Sequence, residues 1–236
     1  MRILLACDDF PSAFAGGVAT SVMNLAKGLA LIGHDVVLVW PEDPTFCPIP
    51  GVRQVRTRGN RIQIGKNHVV LAMPPRAEDL PADWTPDVVH AHQPTPLSWW
   101  ARGVARKYNA PFLVTMHNLL EHTHDPILRR FVGLVYRTIL RAADVTVTPA
   151  TFATRYAIAS FGLTNAVTLS NSIDIETFKG HIAQSEPTPR GDVPNILAAI
   201  SLVPYKNPEM MIELWGKLKA RGIQAPTISA RPSPWR

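Results

Sequence analysis

Six short segments of this chain are apolar almost from end to end: Arg2–Cys7, Asp35–Trp40, Asp87–Ala91, Phe112–Met116, Asp144–Thr148 and Ala166–Leu169. Those that are apolar throughout lack the polar alternation of a strand with one wet face. Each is of strand length, and uniformly apolar strands are those covered on both faces, as in a parallel sheet flanked by helices. Helix-period segments lie between several of them. The alternation predicts an α/β fold built on a doubly wound, mostly parallel sheet.

The first unit is the clearest. Val18, Val22, Leu25, Ala26, Leu29 and Ile32 share one helical face, and Gly33 supplies a stop just before the next strand. Between Pro50 and Met73 the pattern changes: Val52–Val55 and Val69–Met73 flank a segment bearing Gly and Arg, which reads as an antiparallel insertion. Trp99, Trp100, Val104 and Tyr108, at roughly helical spacing, are expected to pack against the sheet. Residues 127–142 read as a long helix with Arg129, Arg130, Arg137 and Arg141 on a solvated face. From Lys179 to Pro194 the composition shifts to Gln, Ser, Glu, Thr, Gly and proline, the signature of a linker. The expected organisation is therefore a first domain over 1–178, a linker over 179–194 and the opening of a second domain over 195–236, with a strand at Ile196–Ile200 and a helix from Pro208 to Arg221 stopped by Gly222.

The chain has 236 residues, 46% of them apolar, which excludes a mostly disordered polypeptide. The net charge of +6 suits anionic partners such as phosphates, nucleotide sugars or acidic lipid surfaces, and equally a generally basic surface. Cys7 sits in an apolar run and Cys47 in a Pro-rich loop, so neither a disulfide framework nor a cysteine zinc site is supported. The start of the chain lacks the basic and long apolar regions of a signal peptide, and no run of roughly 18 apolar residues occurs. A cytoplasmic protein is expected. The basic residues are dispersed without a recognition motif, which argues against nucleic-acid binding.

Three places carry candidate chemistry. Phe14-Ala-Gly-Gly-Val18 follows the first strand and opens the first helix. Glycines at such a turn let backbone N–H groups approach a phosphate or carboxylate; a plain turn is the simpler account, and the pattern is neither a dinucleotide fingerprint nor a phosphate loop. Thr115-Met-His117-Asn118 ends a buried strand, where open α/β sheets bind ligands, and His117 there could bond a sugar hydroxyl or a phosphate or serve only the structure. Lys206 follows the strand at 196–200 and could neutralise a diphosphate or simply be solvated. His90 and His92, two apart on a strand, face the same way, with His122 and His124 in a later loop, but no acidic ligand adjoins the pair and no metal is expected.

In order and spacing these segments resemble the family-four glycosyltransferases, retaining enzymes of the GT-B fold with two facing Rossmann-like domains. The resemblance lies in Arg2-Ile-Leu-Leu, Ala15-Gly-Gly-Val, Asn24-Leu-Ala-Lys-Gly-Leu and Gly33-His-Asp-Val. It continues through Asp87-Val-Val-His-Ala-His92, Pro111-Phe-Leu-Val-Thr-Met-His117-Asn118, Ala143-Asp-Val-Thr-Val and Ser170-Asn-Ser-Ile-Asp-Ile-Glu-Thr-Phe178. It implies a hexosyl-type transferase using a nucleotide-diphosphate sugar as donor and a carbohydrate or lipid-linked acceptor, with no cofactor. By the same resemblance His117 is the catalytic candidate, Gly16, Gly17 and Asn118 bind donor or acceptor, and Lys206 matches a diphosphate-binding lysine. Where the family has Gly-Arg after the strand at 196–200, this chain has Ile200-Ser201, and the glutamate motif that holds the donor is missing. The expectation is an incomplete second Rossmann-like domain and a chain weak or inactive alone. The competing reading is a non-catalytic acceptor-binding module or the partner of a separate C-terminal chain. Relatives that act on lipid-linked acceptors extend the expected surroundings to the inner face of the membrane.

Overall fold

The computed structural model describes residues 1–9, 17–42, 48–64, 67–76, 79–120, 126–184 and 207–223. It divides into two compact units, Met1–Asp174 and Ile175–Arg236. In the first unit, β1 (Arg2–Cys7) leads through α1 (Gly17–Leu31) to β2 (Asp35–Pro41) and β3 (Val52–Thr57). A pair, β4 (Gly59–Ile64) and β5 (Asn67–Ala72), follows. Then come β6 (Val88–His92), α2 (Pro96–Tyr108), β7 (Phe112–Thr115), α3 (Pro126–Leu140), β8 (Val145–Thr148), α4 (Thr151–Phe161) and β9 (Ala166–Thr168).

Seven strands form one sheet in the order β3-β2-β1-β6-β7-β8-β9, and every neighbouring pair is parallel. Period-two alternation along the apolar runs fills two cores at once. Leu4, Ala6, Val37, Val39, Val89, Ala91 and Val114 point into one, with Leu97, Ala101 and Val104 of α2 and Ile139 and Leu140 of α3. Ile3, Leu5, Cys7, Val36, Leu38 and Trp40 point into the other, against Val22 and Ala26 of α1. This double burial is the physical reason the inner strands lack polar alternation; β9 departs from the expectation, because it is the outermost strand and leaves Val167 46% exposed.

Strand bounds follow the six apolar runs to within a residue or two. The segment from Pro50 to Met73 is read only in part. An antiparallel pair is present, but it is β4 with β5, and Val52–Thr57 instead extends the main sheet in parallel beside β2. Ile32 leaves the apolar face of α1 and is 71% exposed, because the helix ends at Leu31 and Gly33 turns the chain with φ 87°.

Helix α2 starts with Pro96 at its first turn, where a missing N–H costs nothing, and ends on Asn109 in the left-handed region. Trp100, Val104 and Tyr108 pack on the core as expected. Trp99 does not: it is 42% exposed, with the Arg102 guanidinium 5.5 Å over its ring. Adjacent residues are about 100° apart around a helix, so two consecutive tryptophans cannot both face the sheet. On α3, Arg129 and Arg130 are exposed, whereas Arg137, and Arg141 just past the helix, also reach the carbonyls of Ser160 (3.4 Å) and Phe161 (2.9 Å) in the last turn of α4.

The described part of the second unit comprises α5 (Ile175–Gln184) and α6 (Pro208–Ala220). Helix α5 runs through the first six residues of the expected linker, and an ion pair between Lys179 and Glu176 spans one of its turns at 3.0 Å. Helix α6 begins at Pro208, and Gly222 with φ 71° follows it. No residue of α6 is buried; Met210, Ile212, Leu214 and Trp215 are all exposed. The expected strand at 196–200 lies outside the described residues. Among the described residues, no helix is long and apolar enough to cross a membrane.

Leu4 and Leu38, fully buried on opposite faces of the sheet, test the double core. Leu4→Ala and Leu38→Ala are each expected to lower the unfolding free energy by about 2–5 kcal/mol in urea titrations, while Ile32→Ala should change it by less than about 0.5 kcal/mol.

Candidate functional site

Strand order reverses direction between β1 and β6, since the chain moves outward through β2 and β3 on one side and through β7, β8 and β9 on the other. Ligands of open α/β sheets bind outside the carboxyl ends of the strands at such a switch point. Register places Cys7 of β1 beside His92 of β6, and His92 beside Thr115 of β7. The residues that follow, Asp8, Gln93 and Met116-His117, therefore emerge side by side at that edge.

His90 and His92 share a strand face, as their spacing requires, with ring centroids 4.3 Å apart. Nε2 of His90 lies 2.7 Å from the Thr115 hydroxyl. Nδ1 of His92 lies 3.1 Å from Nε2 of His117, the two rings being stacked at 5.4 Å. Burial disfavours the imidazolium in all three. It lowers His117 and His90 to about 4, and His92 falls well below its ordinary value; repulsion between the rings adds to the shifts of His90 and His92. The cluster is neutral near pH 7.

The loop from β6 to α2 ties this cluster to β1. Gln93 holds φ at 74°, a left-handed conformation that costs a non-glycine residue on the order of 1 kcal/mol. Its side-chain Oε1 accepts from the backbone N–H of His117 at 3.4 Å and from the Tyr136 hydroxyl at 3.5 Å. Its backbone carbonyl accepts from the Ser98 hydroxyl, whose oxygen in turn takes the Thr95 N–H at 3.4 Å. The Thr95 hydroxyl donates to Oδ2 of Asp8. Asp8 is 4% exposed, and burial raises its carboxyl to about 8; the Asp9 charge adds to the shift and the Ala72 backbone amide opposes it.

His117 is half-buried at this edge, and Asn118 beside it is exposed. Gly17 is the first residue of α1; it is exposed, and a Cβ built there meets nothing within 4 Å. Gly16 and Lys206 lie outside the described residues, as do His122 and His124. Among the described residues, no three His, Cys, Asp or Glu side chains are placed to hold a metal ion. Sequence reasoning missed Asp8, Gln93, Thr95 and Ser98. Asp8 had a signal, an acidic residue directly after a buried strand; Thr95-Pro96 with Ser98 three residues beyond Thr95 marked the start of a helix but not a link to β1.

Residues 15–177 match the family described as Glycosyltransferase Family 4, more than half of the chain. The chain belongs to glycosyltransferase family 4. It is similar to a glycogen synthase of Mycobacterium tuberculosis, 30% identical over 178 residues and covering 63% of this chain and 42% of that protein. It is also similar to the sulfoquinovosyl transferase SQD2 of Arabidopsis thaliana, 25% identical over 198 residues and covering 78% of this chain and 38% of that protein. The chain thus spans about two-fifths of the length of these relatives. Among solved structures, Anabaena HepE in complex with UDP superposes with a TM-score of 0.60 at 13% identity, over 92% of this chain and 58% of that one. The first unit accordingly has the Rossmann-like architecture of a GT-B glycosyltransferase. Within the family-matched stretch, two segments far apart in sequence meet: Nδ2 of Asn24 donates to the Ser172 carbonyl at 3.1 Å, and Lys27 pairs with Asp174.

The Asp8 carboxyl gives this candidate site a signature in pH. Its folded value of about 8 lies above the ordinary 3.8, so the folded state keeps a proton that the unfolded chain releases. Its contribution is fully present below about pH 4 and is lost as pH rises toward 8. Asp8→Asn removes this titration. Relative to wild type, the variant should gain roughly 2 kcal/mol or more of unfolding free energy between pH 4 and pH 8, read by denaturant titration at each pH.

Proposed function

We propose that this chain is the acceptor-side half of a retaining, hexosyl-type glycosyltransferase that takes a sugar from a nucleotide-diphosphate donor, with residues 1–178 as that domain and residues from 195 onward opening the nucleotide-binding one. The observation that carries the reading is the family-four match over residues 15–177. Support comes from the position of His117 beside the switch point and from relatives whose names are those of sugar-transferring enzymes, among them an alpha-monoglucosyldiacylglycerol synthase of Acholeplasma laidlawii. That name favours a carbohydrate or lipid-linked acceptor, met by peripheral contact with a membrane surface. The UDP held by HepE favours a nucleoside diphosphate leaving group.

In this reading His117, neutral near pH 7, hydrogen-bonds the donor sugar or the acceptor and orients it without contributing charge. Asn118 adds an exposed amide next to it. Gly17 leaves room at the start of α1, Gly16 is assigned with it to donor or acceptor binding, and the helix start offers backbone N–H groups to the ligand. Negative charge developing on the leaving diphosphate requires cations. Lys206 supplies one. Ser201 stands where the family's arginine would supply the other, so these 236 residues are expected to transfer sugar weakly or not at all without a complementing nucleotide-binding half.

Two measurements test this. Calorimetric titration with a panel of nucleoside diphosphates and nucleotide sugars is expected to give at most weak binding that Lys206→Ala abolishes. With a complementing C-terminal half, sugar transfer followed by mass spectrometry should appear, and His117→Ala should lower kcat/KM by about tenfold or more, the range of one lost transition-state hydrogen bond. Gly17→Val should weaken transfer while leaving the fold intact, because among the described residues nothing occupies the space of the added side chain. Robust transfer by the chain alone would overturn the incomplete-transferase reading. Acceptor binding with no transfer in the reconstituted assembly would leave a non-catalytic acceptor-binding module.

A further inference from the structure

The contact between His92 and His117 has only two proton assignments. Both rings are neutral near pH 7, so each carries one N–H, and the 3.1 Å contact from His92 Nδ1 to His117 Nε2 uses one donor and one acceptor. In the first assignment His92 holds its proton on Nδ1 and donates to His117, whose own proton then sits on Nδ1. In the second His117 donates from Nε2, its Nδ1 is bare, and the His92 proton is forced onto Nε2.

Nε2 of His92 decides between them. That atom is buried and has no hydrogen-bond partner among the described residues. The second assignment would strand an N–H there, whereas the first leaves only a lone pair. Orphaned buried N–H donors are rarer than under-bonded acceptors. The adjacent Gln93 raises the cost further, because its Nε2 is already a buried donor without a partner while its Oε1 is taken by His117 N–H and Tyr136. Two stranded donors on consecutive residues would each forfeit a hydrogen bond to water with nothing in return. The His92 ring is also held in place, by the His90 ring 4.3 Å away, and His90 is itself fixed on the Thr115 hydroxyl.

We infer that His92 is a positioning residue that fixes His117 in the Nδ1–H tautomer, so that the ring at the mouth of the site meets its ligand as a hydrogen-bond donor. His117 is half-buried, and its Nδ1 has no partner among the described residues. A donor at that atom selects acceptor groups: a sugar hydroxyl oxygen or a phosphate oxygen of the donor substrate. It accepts no proton from a nucleophile, because the atom already carries one. The inference rests on the proposed role of His117 as a ligand-facing group and specifies which half of hydrogen-bond chemistry that group performs.

The test is the tautomer itself. In the full chain labelled with 15N-histidine, long-range proton–nitrogen spectra at pH 7 should show His117 and His92 each with Nδ1 protonated and Nε2 bare. His92→Phe keeps a ring in place and removes the donor; His117 should then shift toward the Nε2–H pattern, and with the complementing half the KM for nucleotide sugar should rise about tenfold. A wild-type spectrum with His117 protonated on Nε2 overturns the inference even if the variant fails to fold. An unchanged His117 tautomer in a folded His92→Phe variant overturns the positioning role, whereas His92→Gln, which keeps a donor, should leave the wild-type tautomer in place. The spectra need neither donor nor acceptor, so this result stands apart from the outcome of the transfer assay: a correct tautomer with no transfer would sink the transferase reading alone, and transfer with the opposite tautomer would sink this one alone.

Discussion

The central strand β1 is hydrogen-bonded in parallel on both edges and covered on both faces, and the site depends on that double constraint. Parallel neighbours require crossovers, and crossovers of fixed right-handedness send the helix after β1 and the helix after β6 to opposite faces of the sheet. Helix α1 accordingly packs with Leu5 and Leu38, and α2 with Leu4 and Ala91. The chain leaving β1 and the chain leaving β6 must therefore part company at the carboxyl edge, which opens a crevice without any residue being set aside to make it. Asp8 and Thr95, on the two diverging segments, are joined across that opening. The apolar pattern that fixes the core also fixes where polar side chains can gather.

Apart from the Asp9 charge, what gathers there is polar yet uncharged. Asp8 retains its proton to about pH 8, while His90 and His117 lose theirs above about pH 4. An acid and several bases placed together could have formed ion pairs; here each is buried deeply enough that the neutral form prevails, and the group is knitted by hydrogen bonds instead. Such a surface orients hydroxyl-rich ligands and contributes little to balancing the charge of a diphosphate. Under the proposed reading this suits a division of labour in which one half positions the sugar and acceptor and the other supplies cations.

Much of this was legible in the chain because the signals were redundant. Six short Val-, Ile- and Leu-rich runs separated by helix-period segments admit few arrangements other than a parallel sheet flanked by helices, and β1, β2, β6, β7, β8 and β9 lie where those runs lie. Redundancy failed at the edges. Val52–Thr57 alternates in burial because it is an outermost strand, so it read as part of an antiparallel insertion when it is the parallel margin of the main sheet. Trp99 and Trp100 illustrate a different limit: composition marks both as core, and only the angle between adjacent helical positions excludes one. At the site, His117 and the same-face pair His90 and His92 followed from strand periodicity. The links through Gln93, Thr95 and Asp8 did not, since they join residues 87 positions apart or depend on a left-handed Gln93 that no propensity favours.

Gly17 separates what the fold requires from what a ligand would require. Its backbone is not in the left-handed region, and a Cβ would meet open space, so neither conformation nor packing in the described structure calls for glycine. At a helix start glycine is tolerated, yet within a helix it costs up to about 1 kcal/mol relative to alanine through the freedom it loses. Strain at Gln93 points the same way: a left-handed glutamine is held in place by its bonds to His117, Tyr136 and Ser98 rather than relaxed by a glycine. Both lie beside the carboxyl edge of β1 and β6, and in each the local cost is unexplained by the core. Asp83, Asn109 and Asn207 are left-handed too, but Asp and Asn tolerate that region more readily than Gln, so among the described residues the strain at Gln93 is the one that falls at the edge where an open sheet receives ligands and is held there by hydrogen bonds.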